Sequence, residues 1–304
     1  MAKAYRVRMT AVVPRRLAAA ILLLAHAAPA APPDPLLART ARAADEFQRN
    51  AARLVSTELL HQTSFARPPH GFLSIGAAAL DVQPRFFRHD IVSEYTIGHL
   101  KGGGQTSMLE FRELVSMDRN SIRTPAAARR ALSEDVKTGE EQIRKRILAE
   151  FTKLGLVDVA TDYGTILLAF TTAAQADLTL THAGDAFVGA EDAYRIDWVQ
   201  NTGGALEFRG KRINRRPLHG SLWIRKSDGL PLRISASFEH EEPQHTLRDD
   251  ATIDYAVSAL DFPTPLTVTH RHFVDGQALT ENLYRYEPFH LFTTDTTIHY
   301  ETPK

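Results

Sequence analysis

The sequence contains no cysteine among its 304 residues. This absence excludes disulfide bonds, thiol nucleophiles and thiolate metal ligands, and also the acylated cysteine of a bacterial lipoprotein. A folded domain of this chain therefore depends on its buried core for stability. The chain is long enough to bury a sizeable core in one large domain or two modest ones.

Sequence motifs of several enzyme classes are also absent. The chain has no Gly-x-Ser-x-Gly elbow, no His-Glu-x-x-His helix and no dinucleotide fingerprint. The triple glycine within residues 101–105 lacks the Gly-Lys-Ser/Thr of a phosphate-binding loop, so it predicts a hairpin loop between two strands. The paired carboxylates Glu241-Glu242 and Asp249-Asp250 lie in a predicted turn and are interpreted as exposed charges. The sequence therefore predicts no catalytic residue, no cofactor and no enzyme activity.

The N-terminus has the pattern of a secretory signal peptide. Five basic residues precede an apolar run over residues 17–28, and these are Lys3, Arg6, Arg8, Arg15 and Arg16. The run ends in Ala28-Pro29-Ala30, with cleavage expected after Ala30 or after Ala27. A membrane anchor is the alternative, but the run is shorter than the roughly 18 apolar residues that span a bilayer. We predict an exported protein, periplasmic or secreted, with residues 1–30 removed and no transmembrane segment afterwards.

Loss of this leader changes the charge balance of the chain. The full sequence has 36 basic and 36 acidic residues, and five of the basic residues lie in the leader. The remaining chain has 31 basic against 36 acidic residues, a formal net charge of −5. No surface for nucleic acid is predicted.

Two regions have the spacing of amphipathic helices. Asp34-Pro35 is a helix-start signal, and apolar residues at intervals of three and four predict a helix over about residues 35–58. A second helical region is predicted at about residues 124–155, divided into two helices near Gly139. Its charged residues, including Arg144, Lys145 and Arg146, are typical of a solvated helix face, with docking to an envelope protein as the alternative.

The remaining chain has the two-residue period of strands. Residues 91–97 and 107–117 predict one strand pair, and the clearest hairpin surrounds Asp228-Gly229. Beyond residue 160, strands are predicted near residues 163–171, 177–182, 185–189, 193–200, 205–209, 218–226, 230–240, 250–258, 265–274, 278–287 and 292–300. The fold class predicted is α+β and β-dominated, an open curved antiparallel sheet covered by the N-terminal and inserted helices. Residues 31–304 are predicted to form one domain.

Three short segments carry a resemblance to a known group of proteins. They are LTLTHAGDAFVGAEDAYRI at 178–196, GSLWI at 220–224 and DGLPLRI at 228–234. The chain resembles the LolA-like exported proteins, which include lipoprotein carriers and sigma-factor regulators, over roughly residues 178–300. The resemblance implies an open half-barrel whose concave apolar face holds an acyl chain or an apolar peptide segment, without catalysis. The chain departs from a minimal carrier in its length and in the helices at 124–155.

The alternating pattern predicts which residues form that face. Those expected to share the inner, ligand-binding face are Leu222, Ile224, Leu232, Ile234, Phe238, Ile253, Tyr255, Leu266 and Val268. Trp223 and Arg233 are expected on the opposite face. The sequence leaves open whether the inner face encloses a cavity for a lipid or is filled by the helices.

Histidines provide the remaining chemical candidates. His270 and His272 lie two residues apart on a predicted strand and project from one face, while His240, His245 and His290 lie in neighbouring strands or loops. Together with Glu239, Glu241 or Asp254 they form a reserve hypothesis, a metal-dependent hydrolase. The spacing does not establish a third ligand, so no metal site is predicted.

Overall fold

The structure is a computed structural model that describes residues 34–66, 85–100, 107–138, 141–156, 162–202, 207–209, 213–215, 217–257 and 259–291. The predicted signal peptide, the triple-glycine loop and the predicted strand at 292–300 lie outside these residues. The helices are α1 (Asp34–Ala51), α2 (Pro125–Thr138) and α3 (Glu141–Lys153), with 3-10 helices at Tyr163–Phe170 and Ala174–Asp177. No helix among the described residues is long and apolar enough to span a bilayer.

The strands in chain order are β1 (Leu54–Ala66), β2 (Arg85–Leu100), β3 (Ser107–Met117), β4 (Asn120–Ser121), β5 (Leu178–Val188), β6 (Glu191–Gln200), β7 (Glu207–Arg209), β8 (Ile213–Arg215), β9 (His219–Arg225), β10 (Pro231–Glu241), β11 (Thr246–Val257), β12 (Pro263–Val274), β13 (Gln277–Tyr286) and β14 (His290–Leu291).

Twelve of these strands form one open antiparallel sheet. Its order is β4-β3-β2-β1-β13-β12-β11-β10-β9-β6-β5, with β14 paired to β1, and β7 and β8 form a separate hairpin. The N-terminal strands thus extend the meander at β13, on the far side from β5. The predicted class, an open antiparallel sheet with helices packed against it, is confirmed.

The hairpin around Asp228-Gly229 is also confirmed, because β9 and β10 pair directly across it. Gly229 has φ of +75°, which favours glycine, and a Cβ atom there would lie 2.6 Å from the carbonyl oxygen of Leu36 in α1. The Thr40 hydroxyl donates a hydrogen bond of 2.6 Å to the carbonyl oxygen of Gly229. The turn therefore also positions the N-terminal helix.

The helices cover two different faces of the sheet. α1 packs against β12 and the longer 3-10 helix, and that 3-10 helix contacts β3, β11 and β12. We call this side of the sheet the inner face. α2 and α3 instead cover the opposite face of β2 and β3, where a Cβ atom on Gly98 would lie against the side chains of Phe111 and Val136. β2 and β3 are therefore buried on both faces.

Two predicted elements are wrong. The predicted helix at 35–58 ends at Ala51, and residues from Leu54 onward form β1. The inner face of β1 alternates Leu54, Ser56, Glu58, Leu60, Gln62 and Ser64, and its polar residues conceal the strand pattern. The predicted strand at 163–171 is the 3-10 helix Tyr163–Phe170, because a short apolar run does not distinguish a strand from a buried helix.

Several strand details also differ from the prediction. The predicted turn at 182–185 is a register shift between His182 and Gly184 inside the continuous strand β5. Asp249 and Asp250 lie within β11 rather than in a turn. Leu232 and Leu266, both predicted on the inner face, lie at register shifts of β10 and β12. The extra residue of a bulge disturbs the alternation, and Leu266 is 49 % exposed.

Candidate functional site

The inner face contains an apolar layer that crosses seven neighbouring strands. Its members face one another in register and are Leu222, Ile234, Ile253, Val268, Tyr284, Leu60 and Ile91. All seven are buried. Of the predicted ligand-binding residues, Leu222, Ile234, Ile253 and Val268 lie in this layer, and Ile224, Phe238 and Tyr255 are also buried. Their role in binding stays a prediction.

A second layer lies two residues farther along the same strands. It consists of Ala236, Ala251, His270, Asn282 and Gln62, paired in that order. A third layer follows and consists of Phe238, Asp249, His272, Thr280 and Ser64. Two residues along a strand span about 7 Å, so the apolar layer is directly adjacent to a polar region.

The central residue of this polar region is Asp249, which accepts hydrogen bonds from two histidines. His270 Nε2 lies 2.7 Å and His272 Nδ1 lies 3.1 Å from the same oxygen, Oδ1. Burial acts to raise the pKa of Asp249, but the bonds and charges of His270 and His272 outweigh it and lower the pKa to about 2. Asp249 is therefore ionised near neutral pH.

Two amides hold the buried histidine in place. Gln62 Nε2 donates a hydrogen bond of 2.7 Å to Oδ1 of Asn282. The Nδ2 atom of Asn282 lies 3.4 Å from Nδ1 of His270. Asp249 accepts a hydrogen bond from Nε2, at the other side of the imidazole. This series of hydrogen bonds therefore fixes the orientation of His270. We call these residues, Gln62, Asn282, His270, Asp249 and His272, the His–Asp cluster.

Tyr163, the first residue of the 3-10 helix, covers the His–Asp cluster. Its ring lies 5.0 Å from that of His270, centroid to centroid, at 35°. Its hydroxyl is buried and has no hydrogen-bond partner among the described residues. Burial, the largest effect, and the charge of Asp249 raise the pKa of Tyr163 well above its usual range, so the hydroxyl stays protonated.

A separate ionic cluster lies on the inner face near β3. Arg112 donates to both oxygens of Glu58 at 2.7 and 2.9 Å and to Glu110 at 2.6 Å. Its guanidinium lies between the rings of Tyr95 and Tyr284, 5.2 and 5.3 Å from their centroids. All three charged side chains are buried. One arginine thus compensates two carboxylates.

Glu110 also anchors the 3-10 helix. Its Oε1 accepts hydrogen bonds of 2.8 Å from the Tyr95 hydroxyl and from the backbone N–H of Gly164. The backbone N–H of Glu110 donates to Asp162 at 2.9 Å. Burial raises the pKa of Glu110 to about 7, although Arg112 acts to lower it. No sequence pattern indicates this cluster, because Glu58 falls in a predicted helix and Glu110 and Arg112 alternate with apolar residues like a solvated face.

Arg146, one of the charged residues expected on a solvated helix face with docking as the alternative, is exposed and also forms ion pairs with β3 and α2. Arg146 donates to Glu113 at 2.9 Å and to Asp135 at 2.6 Å, and Arg123 also pairs with Glu113. Glu113 is buried on the outer face of β3. The structure does not describe the side chains of Arg144 and Lys145. Charge reversal at Arg146 therefore disrupts internal ion pairs, and it does not isolate an effect on a protein partner.

The histidines of the reserve metal hypothesis do not gather at one site, although His270 and His272 share Asp249. His245 bonds to Asp275 at 2.8 Å, His240 stacks on Phe238 with centroids 5.8 Å apart, and His290 pairs with β1 at Val55. Within the described ranges, no group of three or more His, Asp or Glu side chains is arranged to hold a metal ion.

Three solved structures are among those that match this chain. A LolA superfamily protein from Nitrosomonas europaea is 12 % identical, with 84 % of this chain and 94 % of that chain covered and a TM-score of 0.28. A DUF1329 family protein from Desulfovibrio piger is 10 % identical over 88 % and 95 % of the two chains, with a TM-score of 0.33. MucB, in complex with MucA(peri), is 11 % identical over 85 % and 98 %, with a TM-score of 0.17.

A LolA superfamily protein, from the group that the sequence resembles, is among these matches. No family model matches the chain, and no curated protein does. All three TM-scores lie below 0.5, and the fold class rests on the sheet and helices of this chain itself.

Proposed function

We propose that this chain is a non-enzymatic, exported binding protein that holds an acyl chain or another apolar segment against the inner face of its sheet. The proposed contacts are Leu222, Ile224, Ile234, Phe238, Ile253, Tyr255 and Val268. Leu232 and Leu266 are left out because they lie at bulges. Residence in the periplasm or outside the cell follows from the leader pattern and is part of the same proposal.

The main support for this proposal is the thin helical cover that lies over the apolar layer. The cover consists of α1 and the 3-10 helix, joined by hydrogen bonds of 3.0 and 2.6 Å from Thr172 to Asp45. Several buried residues of α1 are alanines, and the large apolar side chains of the cover are Phe47, Ile166, Leu167 and Phe170. A large aliphatic surface is thus covered by two short elements.

The free-energy cost of displacing the cover is similar in size to the free energy gained by burying a ligand chain. Exposing a large apolar side chain costs about 1.5–3 kcal/mol, so the four in the cover amount to roughly 6–12 kcal/mol. Burying a chain of about 15 methylenes at about 0.8 kcal/mol each contributes about 12 kcal/mol. A chain of roughly 8–15 methylenes or more can therefore offset exposure of the cover, whereas a shorter one cannot.

Native mass spectrometry tests the proposal directly. The protein is expressed with its leader in a bacterial envelope, purified without detergent and then extracted with organic solvent. We expect a reproducible excess mass that extracts as lipid, and saturable binding of a fluorescent palmitate by the delipidated protein. A bare protein mass together with no saturable binding would contradict the proposal.

A matched pair of helix variants tests whether the cover moves. Thr40→Val removes the hydrogen bond from α1 to Gly229 while keeping the side-chain size. Loss of one such bond, at about 1 kcal/mol, eases displacement of α1 and should tighten palmitate binding about fivefold. Gln48→Ala, at an exposed position of the same helix, should leave the affinity unchanged. Equal affinities of both variants would indicate that α1 stays in place.

A further inference from the structure

Two oxygen atoms of the His–Asp cluster and its cover have unused hydrogen-bonding capacity. The Tyr163 hydroxyl has no partner among the described residues although its side chain is buried. Both histidines bond to the same oxygen of Asp249, Oδ1, and a carboxylate has lone pairs on both oxygens to accept further donors. The ionised carboxylate and the unpartnered hydroxyl therefore lie in the same place.

The position of His270 shows that these atoms belong to one site. The imidazole of His270 packs against the Tyr163 ring and bonds to Asp249, so both residues contact the same side chain. The charge of Asp249 also acts on the Tyr163 hydroxyl. The site is 2 residues along β12 from Val268 in the apolar layer, which corresponds to about 7 Å.

Stability alone does not account for a tyrosine at position 163. A buried hydroxyl without a partner costs about 1–3 kcal/mol, and phenylalanine would keep the ring contact with His270 without that cost. The hydroxyl is therefore free to bond to a ligand. Its place between the apolar layer and an ionised carboxylate indicates contact with the polar end of a ligand.

We infer that Tyr163 and Asp249 bind the hydroxyl head group of a long-chain alcohol or acylglycerol whose chain lies on the apolar layer. This inference rests on the proposed function, since it names the class of ligand. It requires that Tyr163 stays in place when the chain displaces α1 and the later residues of the 3-10 helix, and the hydrogen bond from the Gly164 N–H to Glu110 holds that first turn. An alcohol accepts a hydrogen bond from the Tyr163 hydroxyl and donates one to Oδ2 of Asp249. A carboxylate head has no proton to donate to Asp249 and is repelled by it. An ammonium head donates to Asp249 but cannot accept the proton of Tyr163.

Isothermal titration with three probes of equal chain length tests the head group. The probes are decanol, decanoate and decylammonium, titrated at pH 7 into the delipidated full-length mature protein. We expect decanol to bind most tightly, and Tyr163→Phe to weaken decanol binding about tenfold through loss of one buried hydrogen bond. Tyr286→Phe is the matched control, because its hydroxyl is also buried without a partner among the described residues but lies near Glu58 rather than Asp249. This control should leave decanol binding unchanged.

The outcomes separate the head-group assignment from the proposed function. Equal binding of the three probes, tighter binding of either charged probe, or unchanged decanol affinity in Tyr163→Phe would overturn the assignment and leave an apolar-binding protein. No binding of decanol, decanoate, decylammonium or palmitate would overturn the proposed function and the assignment with it. The melting temperature of ligand-free Tyr163→Phe should equal or exceed that of the wild type, and a clear decrease would show that the hydroxyl already has a structural partner.

Discussion

The two ends of the sheet are stabilised in different ways. β9–β12 bury one face, and their other face carries half-exposed polar residues such as Arg233, Ser235 and Asp254. β2 and β3 are covered on both faces, and they bury the charged residues Glu94, Glu110, Arg112 and Glu113. One end thus depends on apolar packing, whereas the other depends on buried ion pairs. Glu94 and Glu113 lie under α2 and α3, whereas Glu110 and Arg112 lie on the inner face, so the buried charges of this end occupy both faces of β2 and β3.

The largest expected effect is removal of the arginine that compensates two buried carboxylates. Arg112→Met leaves Glu58 and Glu110 buried without their partner and should lower the free energy of unfolding by about 4 kcal/mol. The control is Arg233→Met, which breaks the half-exposed pair with Asp254 and should cost less than about 1 kcal/mol. Urea unfolding at pH 7 measures both. Similar losses in the two variants would show that the two ends do not differ in this way.

The next effect is a pH dependence specific to the β3 end. The pKa of Glu110 is about 7 in the folded protein, against an ordinary value of 4.5. As the pH rises, the unfolded chain releases this proton first, so the stabilisation present below pH 4.5 is lost as the pH passes through 7. The wild type should lose about 3 kcal/mol relative to Glu110→Gln between pH 4.5 and 8.

Unfolding curves at a series of pH values provide that measurement. Glu281→Gln, which removes a half-exposed partner of Arg271, serves as the control and should run parallel to the wild type. If the Glu110→Gln curve also ran parallel, Glu110 would be ionised throughout, and Arg112 would compensate both carboxylates fully.

The same comparison explains which parts of the fold the sequence predicts. In β9–β12 one face meets solvent, so the two-residue period is visible and places Leu222, Ile234, Ile253 and Val268 correctly on the inner face. In β1 the inner face carries Glu58 and Gln62, whose partners come from β3 and β13. No local pattern indicates a partner so distant in the sequence, and the start of β1 therefore falls within the predicted helix at 35–58.

The candidate site was predictable only in part, for a similar reason. The two-residue spacing of His270 and His272 identifies them as candidates, but the sequence pattern predicts that Asp249 is an exposed turn residue. Tyr163 was placed in a strand, whereas the structure brings it over His270 from the 3-10 helix. Long-range contacts of single side chains decide this site, and they follow from the sheet register rather than from periodicity.

The smallest effect tests the limits of periodicity within the apolar end itself. Val268 and Leu266 share the same parity, but the bulge between them leaves Val268 2 % and Leu266 49 % exposed. Val268→Ala should cost about 2 kcal/mol through lost burial and a cavity, whereas Leu266→Ala should cost less than about 0.5 kcal/mol despite losing more atoms. Thermal and urea unfolding of the two variants compare them directly. Equal losses would place Leu266 on the inner face and remove the bulge, and the two-residue period would then hold along the whole of β12.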